Sequence, residues 1–201
     1  MSYSFLKVPL FIGILLSLRI LSMEHVREIT LAGHTARVRS VALQGNRVVT
    51  GSEDSTARIW NPITGECLRT LYCGRIISSV AFQGNHVVTA LWDGTAKIWG
   101  LNTDTCLHMQ PNNIASVALQ DNHVVTALWD GTAQIRNLDN NQCLRTLRDH
   151  SRSITFVAIQ SDRVVTASWK DQEAKIWDIN TGECLHTLTG PVNFKRFIAV
   201  Q

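Results

Sequence analysis

The sequence predicts an all-β protein, a propeller of four full sheets with partial strands beyond them and a ring left open and incomplete. Three observations carry this. The chain repeats itself four times, with Val-Ala pairs at Val41, Val80, Val117 and Val157 in steps of 39, 37 and 40 residues, the spacing of stacked supersecondary units. Each repeat holds four short apolar runs separated by turn residues, a β-meander rather than a βαβ unit. One such sheet cannot bury both of its faces alone, so successive sheets stack around an axis, each covering its neighbour.

Along the chain, residues 1–23 form a hydrophobic leader, in which Lys7 precedes an apolar stretch from Val8 to Leu18 that ends before Arg19. That stretch is short for a bilayer span, and no small-x-small cleavage site follows it. Three readings stay open: a membrane-targeting segment, a helix packed on the folded domain, and sequence upstream of a start at Met23. Residues 24–201 are the propeller, with repeats at about 28–71, 72–110, 111–147 and 148–188 and a partial one at 189–201. In each repeat the first turn is a tight pair such as Gly45-Asn46, Gly84-Asn85 or Asp121-Asn122, residue types that tolerate the positive φ of two-residue hairpins. The second turn carries Asp93-Gly94 and Asp130-Gly131, and the third is looser and polar, as in Asn180-Thr181-Gly182. The run that follows, Cys-Leu-x-x-Leu, is the most polar, as an outer edge should be. Glu28-Ile29-Thr30-Leu31 matches the ending of such an outer strand, and Asn193 to Gln201 matches only an inner one. The second and third strands of that shared sheet are missing, so the ring does not close, and the open faces invite oligomerisation.

Composition narrows the function. With 45% apolar and 17% charged residues the chain folds, and its net charge of +3 comes without a basic run of the kind that tracks phosphates, which argues against nucleic acid as partner. Cys67, Cys106, Cys143 and Cys184 recur once per repeat. Duplication explains that regularity better than a disulfide or zinc framework does, and reduced thiols suit the cytoplasm, with membrane association only through residues 1–22. Cys73 stands outside the repeat and reads as an incidental loop residue. No base, nucleophile and orienting group occur together as a motif, so the expectation is no enzyme, no metal and no cofactor.

These repeats resemble the WD40 repeat from Ile29 to Gln201. In that family a buried hydrogen-bonded set joins a His before the first strand, a Ser or Thr on the second, an Asp in the next turn and a Trp on the third. The resemblance implies a structural network of His34, Thr50, Asp54 and Trp60 in the first repeat, and Thr89, Asp93 and Trp99 without the His in the second. In the third it leaves Thr126 and Asp130, with Arg136 in place of Trp. The fourth has His150, Thr166, Asp171 and Trp177, with one extra residue before the Asp. Phrases such as TGECLHTLTGP, from Thr181 to Pro191, are most similar to the propellers of F-box/WD-repeat substrate receptors, although nothing here looks like an F-box. Of the arginines that hold a phosphopeptide in those receptors only Arg39 has a counterpart, so the phosphate pocket does not carry over.

The tryptophans divide. Trp60, Trp99 and Trp177 are motif residues, whereas Trp92, Trp129 and Trp169 lie beside the second turn, where a large aromatic serves either packing between sheets or a partner. The residues two and four before each repeated valine, with the one before the turn Asp, define one rim: Arg37, Arg39, Glu53, Ile76, Ser78, Trp92, Asn113, Ala115, Trp129, Ser153, Thr155 and Lys170. The expected function is a non-catalytic scaffold that docks a protein or peptide on this rim. The alternatives are a substrate receptor of a ubiquitin-ligase-like complex and a truncated fragment of a larger propeller.

Overall fold

A computed structural model describes residues 16–22, 25–103, 105–109 and 113–190. Among these residues all regular structure is β. Strands β3 (Val38–Gln44), β4 (Arg47–Ser52), β5 (Thr56–Trp60) and β6 (Cys67–Tyr72) form the first antiparallel sheet in sequence order. The second comprises β7 (Ile77–Gln83), β8 (His86–Leu91), β9 (Ala96–Gly100) and β10 (Cys106–Met109). The third is β11 (Ile114–Gln120), β12 (His123–Leu128), β13 (Thr132–Asn137) and β14 (Cys143–Arg148). The fourth is β15 (Phe156–Gln160), β16 (Arg163–Ser168), β17 (Glu173–Asp178) and β18 (Cys184–Thr189).

Turn chemistry fixes the register. The first hairpins pair Gln44 with Arg47, Gln83 with His86, Gln120 with His123 and Gln160 with Arg163, each leaving a two-residue loop. Its first residue is left-handed in all four sheets, at Gly45, Gly84, Asp121 and Ser161, which is why Gly and Asp recur there. In the third turn Asn61, Asn137 and Asp178 each accept the amides two and three residues ahead through the side chain. The turn is closed from within its own backbone, and the outer strand then re-enters through a bulge at Trp60–Cys67, Arg136–Cys143 and Trp177–Cys184.

The core lies between the sheets. One face of the first sheet, with Val49, Ala57, Ile59 and Leu71, meets Ile77, Val80, Phe82 and Val87 of the second. The second meets the third, and the third the fourth, through the corresponding residues. A polar latch repeats beside each junction: the side-chain oxygens of Gln44, Gln83 and Gln120 accept the first-turn amides of the next sheet at Gly84, Asp121 and Ser161. Inner strands follow one another as β3, β7, β11 and β15, and among the described residues no comparable contact returns from β15 to β3.

The two ends show the consequence. On the far face of the fourth sheet Leu188 is 55% exposed, whereas its counterparts Leu71 and Leu147 are 3% and 1% exposed. Val165 and Ile176 on that face are also more open than Val49 and Ile59. At the other end β2 (His25–Leu31) packs Ile29 and Leu31 on Val48 and Trp60, yet Leu43 beside them stays exposed.

Strand β1 (Leu16–Ser22) pairs antiparallel with β2. It falls within the stretch read as a leader, and it takes the place of a third strand: Leu31 pairs with Leu16 as Leu71 pairs with Ala57. That strand was among those expected to be missing, because an apolar run carries no sign of its edge partner until the register is seen. Residues 1–15 of the leader, and 191–201 of the partial repeat, lie outside the described residues. Among the described residues no helix is long and apolar enough to cross a membrane.

Candidate protein-binding rim

The rim stands on the buried network beneath it. In the first sheet the Trp60 indole N–H donates to Thr50 Oγ1 at 2.8 Å, and Thr50 lies 2.6 Å from His34 Nε2. His34 Nδ1 is 2.7 Å from Asp54 Oδ2, and Asp54 also accepts the Thr35 amide and the Thr56 hydroxyl. A neutral imidazole satisfies this chain throughout: Nδ1–H donates to the carboxylate, and Nε2 accepts from the threonine hydroxyl. Burial lowers the His34 pKa against the opposing pull of Asp54. Burial alone would raise the Asp54 pKa, but hydrogen bonds from Thr56, His34 and the Thr35 amide outweigh it and hold the group at about 2.

The other sheets vary this theme. In the second, Trp99 donates to Thr89 at 3.1 Å, and Cys73, 16 residues before Thr89, takes the place that His34 takes relative to Thr50. Its thiol is buried, lies 3.7 Å from Thr89 Oγ1 and is pushed up to about 11 by burial. Cys73 is therefore no incidental loop residue, and the 16-residue spacing is the signal that identifies it. In the third sheet Arg136 turns its guanidinium to Gln134 and to the Asn141 carbonyl. Thr126 Oγ1 is buried without a hydrogen-bond partner among the described residues. In the fourth, Thr166 accepts from Trp177 and lies 2.8 Å from His150 Nε2. The extra residue before Asp171 stretches the His150 Nδ1 to carboxylate distance to 3.4 Å, and Asp171 binds Ser151 and the Arg152 amide instead. Asp93 and Asp130 bind the threonines two residues ahead, closing their turns rather than joining a histidine.

The network makes stability pH-dependent. Burial lowers both the His34 and the His150 pKa, so the unfolded chain takes up protons near pH 6.5 that the folded chain refuses, and stability falls as pH drops below about 6.5. Asp54 adds a further loss as pH falls from about 4 toward 2. Urea midpoints at pH 7.5, 5.5 and 3.5 should decline in that order, and a midpoint that rises on acidification would contradict the buried neutral imidazoles.

All twelve rim residues expected from the sequence are exposed or half-buried. The backbone brings them together in pairs, because the Glu53, Trp92 and Trp129 amides each donate to the carbonyl of Arg37, Ile76 and Asn113 at 2.9 Å. These residues stand three after the strand threonine, and in the fourth sheet that position is Trp169, with the extra residue following it. The residue before Asp171 is Lys170, one further on than this position, and Trp169 completes the series. Trp92, Trp129 and Trp169 are 59%, 61% and 57% exposed. Arg39 lies in an ion pair with Glu53 at 2.6 Å, and its guanidinium carbon is 4.5 Å from the Trp92 ring centroid. Among the described residues no group of three or more His, Cys, Asp or Glu is placed to hold a metal ion.

The repeated sheets and their network find their counterpart in a known family, the WD domain, G-beta repeat, whose model matches residues 26–61, 65–100 and 141–178. The chain belongs to the WD40-repeat family. The stretch between the second and third matches holds most of the third sheet, where Arg136 has replaced the tryptophan. A protein described as a ribosome biogenesis protein BOP1 homolog, from Drosophila grimshawi, is 39% identical over 54 residues, 26% of this chain and 7% of its own length. One from Aedes aegypti is 43% identical over 47 residues, 22% of this chain and 5% of its own length. These matches thus span less than a tenth of either relative. The crystal structure of the computationally designed Ika4 protein superposes with a TM-score of 0.67 at 30% identity, covering 75% of this chain and 96% of that one. These comparisons support the WD40 repeat itself and do not reach the finer likeness to F-box/WD-repeat receptors.

Proposed function

We propose that the chain is a non-catalytic protein-interaction scaffold that docks a protein or peptide on the rim carrying Trp92, Trp129 and Trp169. The observation that carries this reading is the row of exposed indoles at one backbone position of three successive sheets. An isolated exposed tryptophan is unremarkable, but a row of them, with Arg39 and Glu53 continuing it, has the composition of a binding hot spot. The five free thiols favour a reducing compartment. The relatives named for ribosome biogenesis make an assembly role of that kind a natural context, although the shared segment is too short to bring their partners with it.

Affinity capture tests this reading. Wild-type chain and the variants Trp92→Ala and Arg39→Glu are compared by quantitative mass spectrometry of what each retains. A specific partner should be retained by the wild type and depleted severalfold by both variants, with circular dichroism unchanged. Equal retention by all three chains would place the binding site elsewhere.

A further inference from the structure

The repeat lets one occupied position on the rim identify two that are open. The Arg39 guanidinium meets the Glu53 carboxylate of its own sheet along its edge, at 2.6 Å, and stands over the Trp92 ring of the next, 4.5 Å from the centroid. Both walls of this slot come from the position three residues after the strand threonine, and its base comes from the position two residues before the repeated valine. One sheet further on, the matching wall positions hold Trp92 and Trp129 and the base position Ser78; one further again, they hold Trp129 and Trp169 with Ala115. Ser78 does not fill its slot, since its hydroxyl donates to the Ala90 carbonyl. The Glu53, Trp92 and Trp129 amides make one repeated hydrogen bond, and Trp169 holds the matching place by its count from Thr166.

We propose that these two slots each receive an arginine side chain from a peptide partner, in the place that Arg39 occupies in the first; this rests on the rim reading above. A guanidinium is flat and weakly hydrated and stacks on aromatic faces, which attract cations through the ring quadrupole. Against an indole it exchanges water for a π-face, as Arg39 does on Trp92. At these positions the chain's own cation is lost, Arg39 giving way to Ser78 and Ala115, and an indole stands where Glu53 stood. The chain carries a net charge of +3, so attraction for a basic peptide must come from this local arrangement rather than from the overall field.

The test is titration of the full chain with a labelled peptide of alternating glycine and arginine, beside its citrulline counterpart, which keeps shape and loses charge. The arginine peptide should bind at least about tenfold more tightly than the citrulline peptide. Trp129→Ala removes a wall of both slots and should cost about tenfold or more; Ser78→Arg with Ala115→Arg fills both slots from within and should do the same. Far-UV circular dichroism checks the fold of each variant. Equal binding of the two peptides, absence of binding, or affinity untouched by Trp129→Ala and by the filled-slot variant would each overturn the inference. If the peptide fails while the captured partner still depends on Trp92 and Arg39, the arginine slots fall and the rim reading stands. If the peptide behaves as expected while that partner ignores both variants, the slots stand and the rim reading falls.

Discussion

Replacing Trp60 with alanine is expected to lower stability by roughly 3–5 kcal/mol, the cost of emptying a fully buried aromatic site. Trp60 is 0% exposed, meets His34 edge-on at 5.9 Å between ring centroids, donates to Thr50, and packs with Ile29, Leu31 and Val48. The substitution removes the anchor of the network and the contact of β2 with the first sheet together. Against the roughly 5–15 kcal/mol that separates folded from unfolded states, this is a large fraction. Arg136→Ala, at the same position of the third sheet, should cost about 1 kcal/mol or less, because that side chain makes only half-buried polar contacts to Gln134 and Asn141. Urea denaturation of the two variants beside the wild type separates these outcomes. A Trp60→Ala chain within 1 kcal/mol of the wild type would deny the network its structural weight.

The second large effect concerns the face of the fourth sheet against which no described sheet packs. Leu188, Ile176 and Val165 are the counterparts of Leu71, Ile59 and Val49 in the first sheet and of Leu147, Ile135 and Val125 in the third, all of them buried. Burying each large aliphatic contributes about 1.5–3 kcal/mol, so the face should drive concentration-dependent association of the isolated chain. Ile176→Asp combined with Leu188→Asp should weaken that association by roughly a hundredfold or more, the equivalent of about 3 kcal/mol. Sedimentation velocity reads the result directly. A wild-type chain that stays at 22.4 kDa across the concentration range, or a double variant that associates as strongly, would show that the face needs no cover.

Much of this architecture is legible in the residues themselves. The 39, 37 and 40 residue steps, the Gly and Asp first turns and the His34, Thr50, Asp54, Trp60 set all act through local chemistry, and each has its counterpart in the structure. What hid from the sequence lies where a residue change broke the alignment. Cys73 follows its outer-strand leucine by two residues, whereas His34 and His150 follow theirs by three, so the thiol that takes the histidine's place falls out of register with it. The extra residue before Asp171 shifts the count by one and hides Trp169. β1 was read as leader because Val8 to Leu18 is one apolar run, and only the pairing of Leu16 with Leu31 shows where a strand begins. The occupied slot of Arg39 is a contact between sheets, which no single repeat contains.

A scaffold of this kind requires that its partner meet the tryptophan rim. Site-specific photo-cross-linking tests this most directly, with a benzophenone side chain placed singly at Arg75 and at Lys170 beside the rim, at Arg69 on the outer strand β6, and at Leu188 on the exposed face of the fourth sheet. The account predicts that the captured partner cross-links from positions 75 and 170 and not from 69 or 188. Cross-links confined to positions 69 or 188 would contradict it.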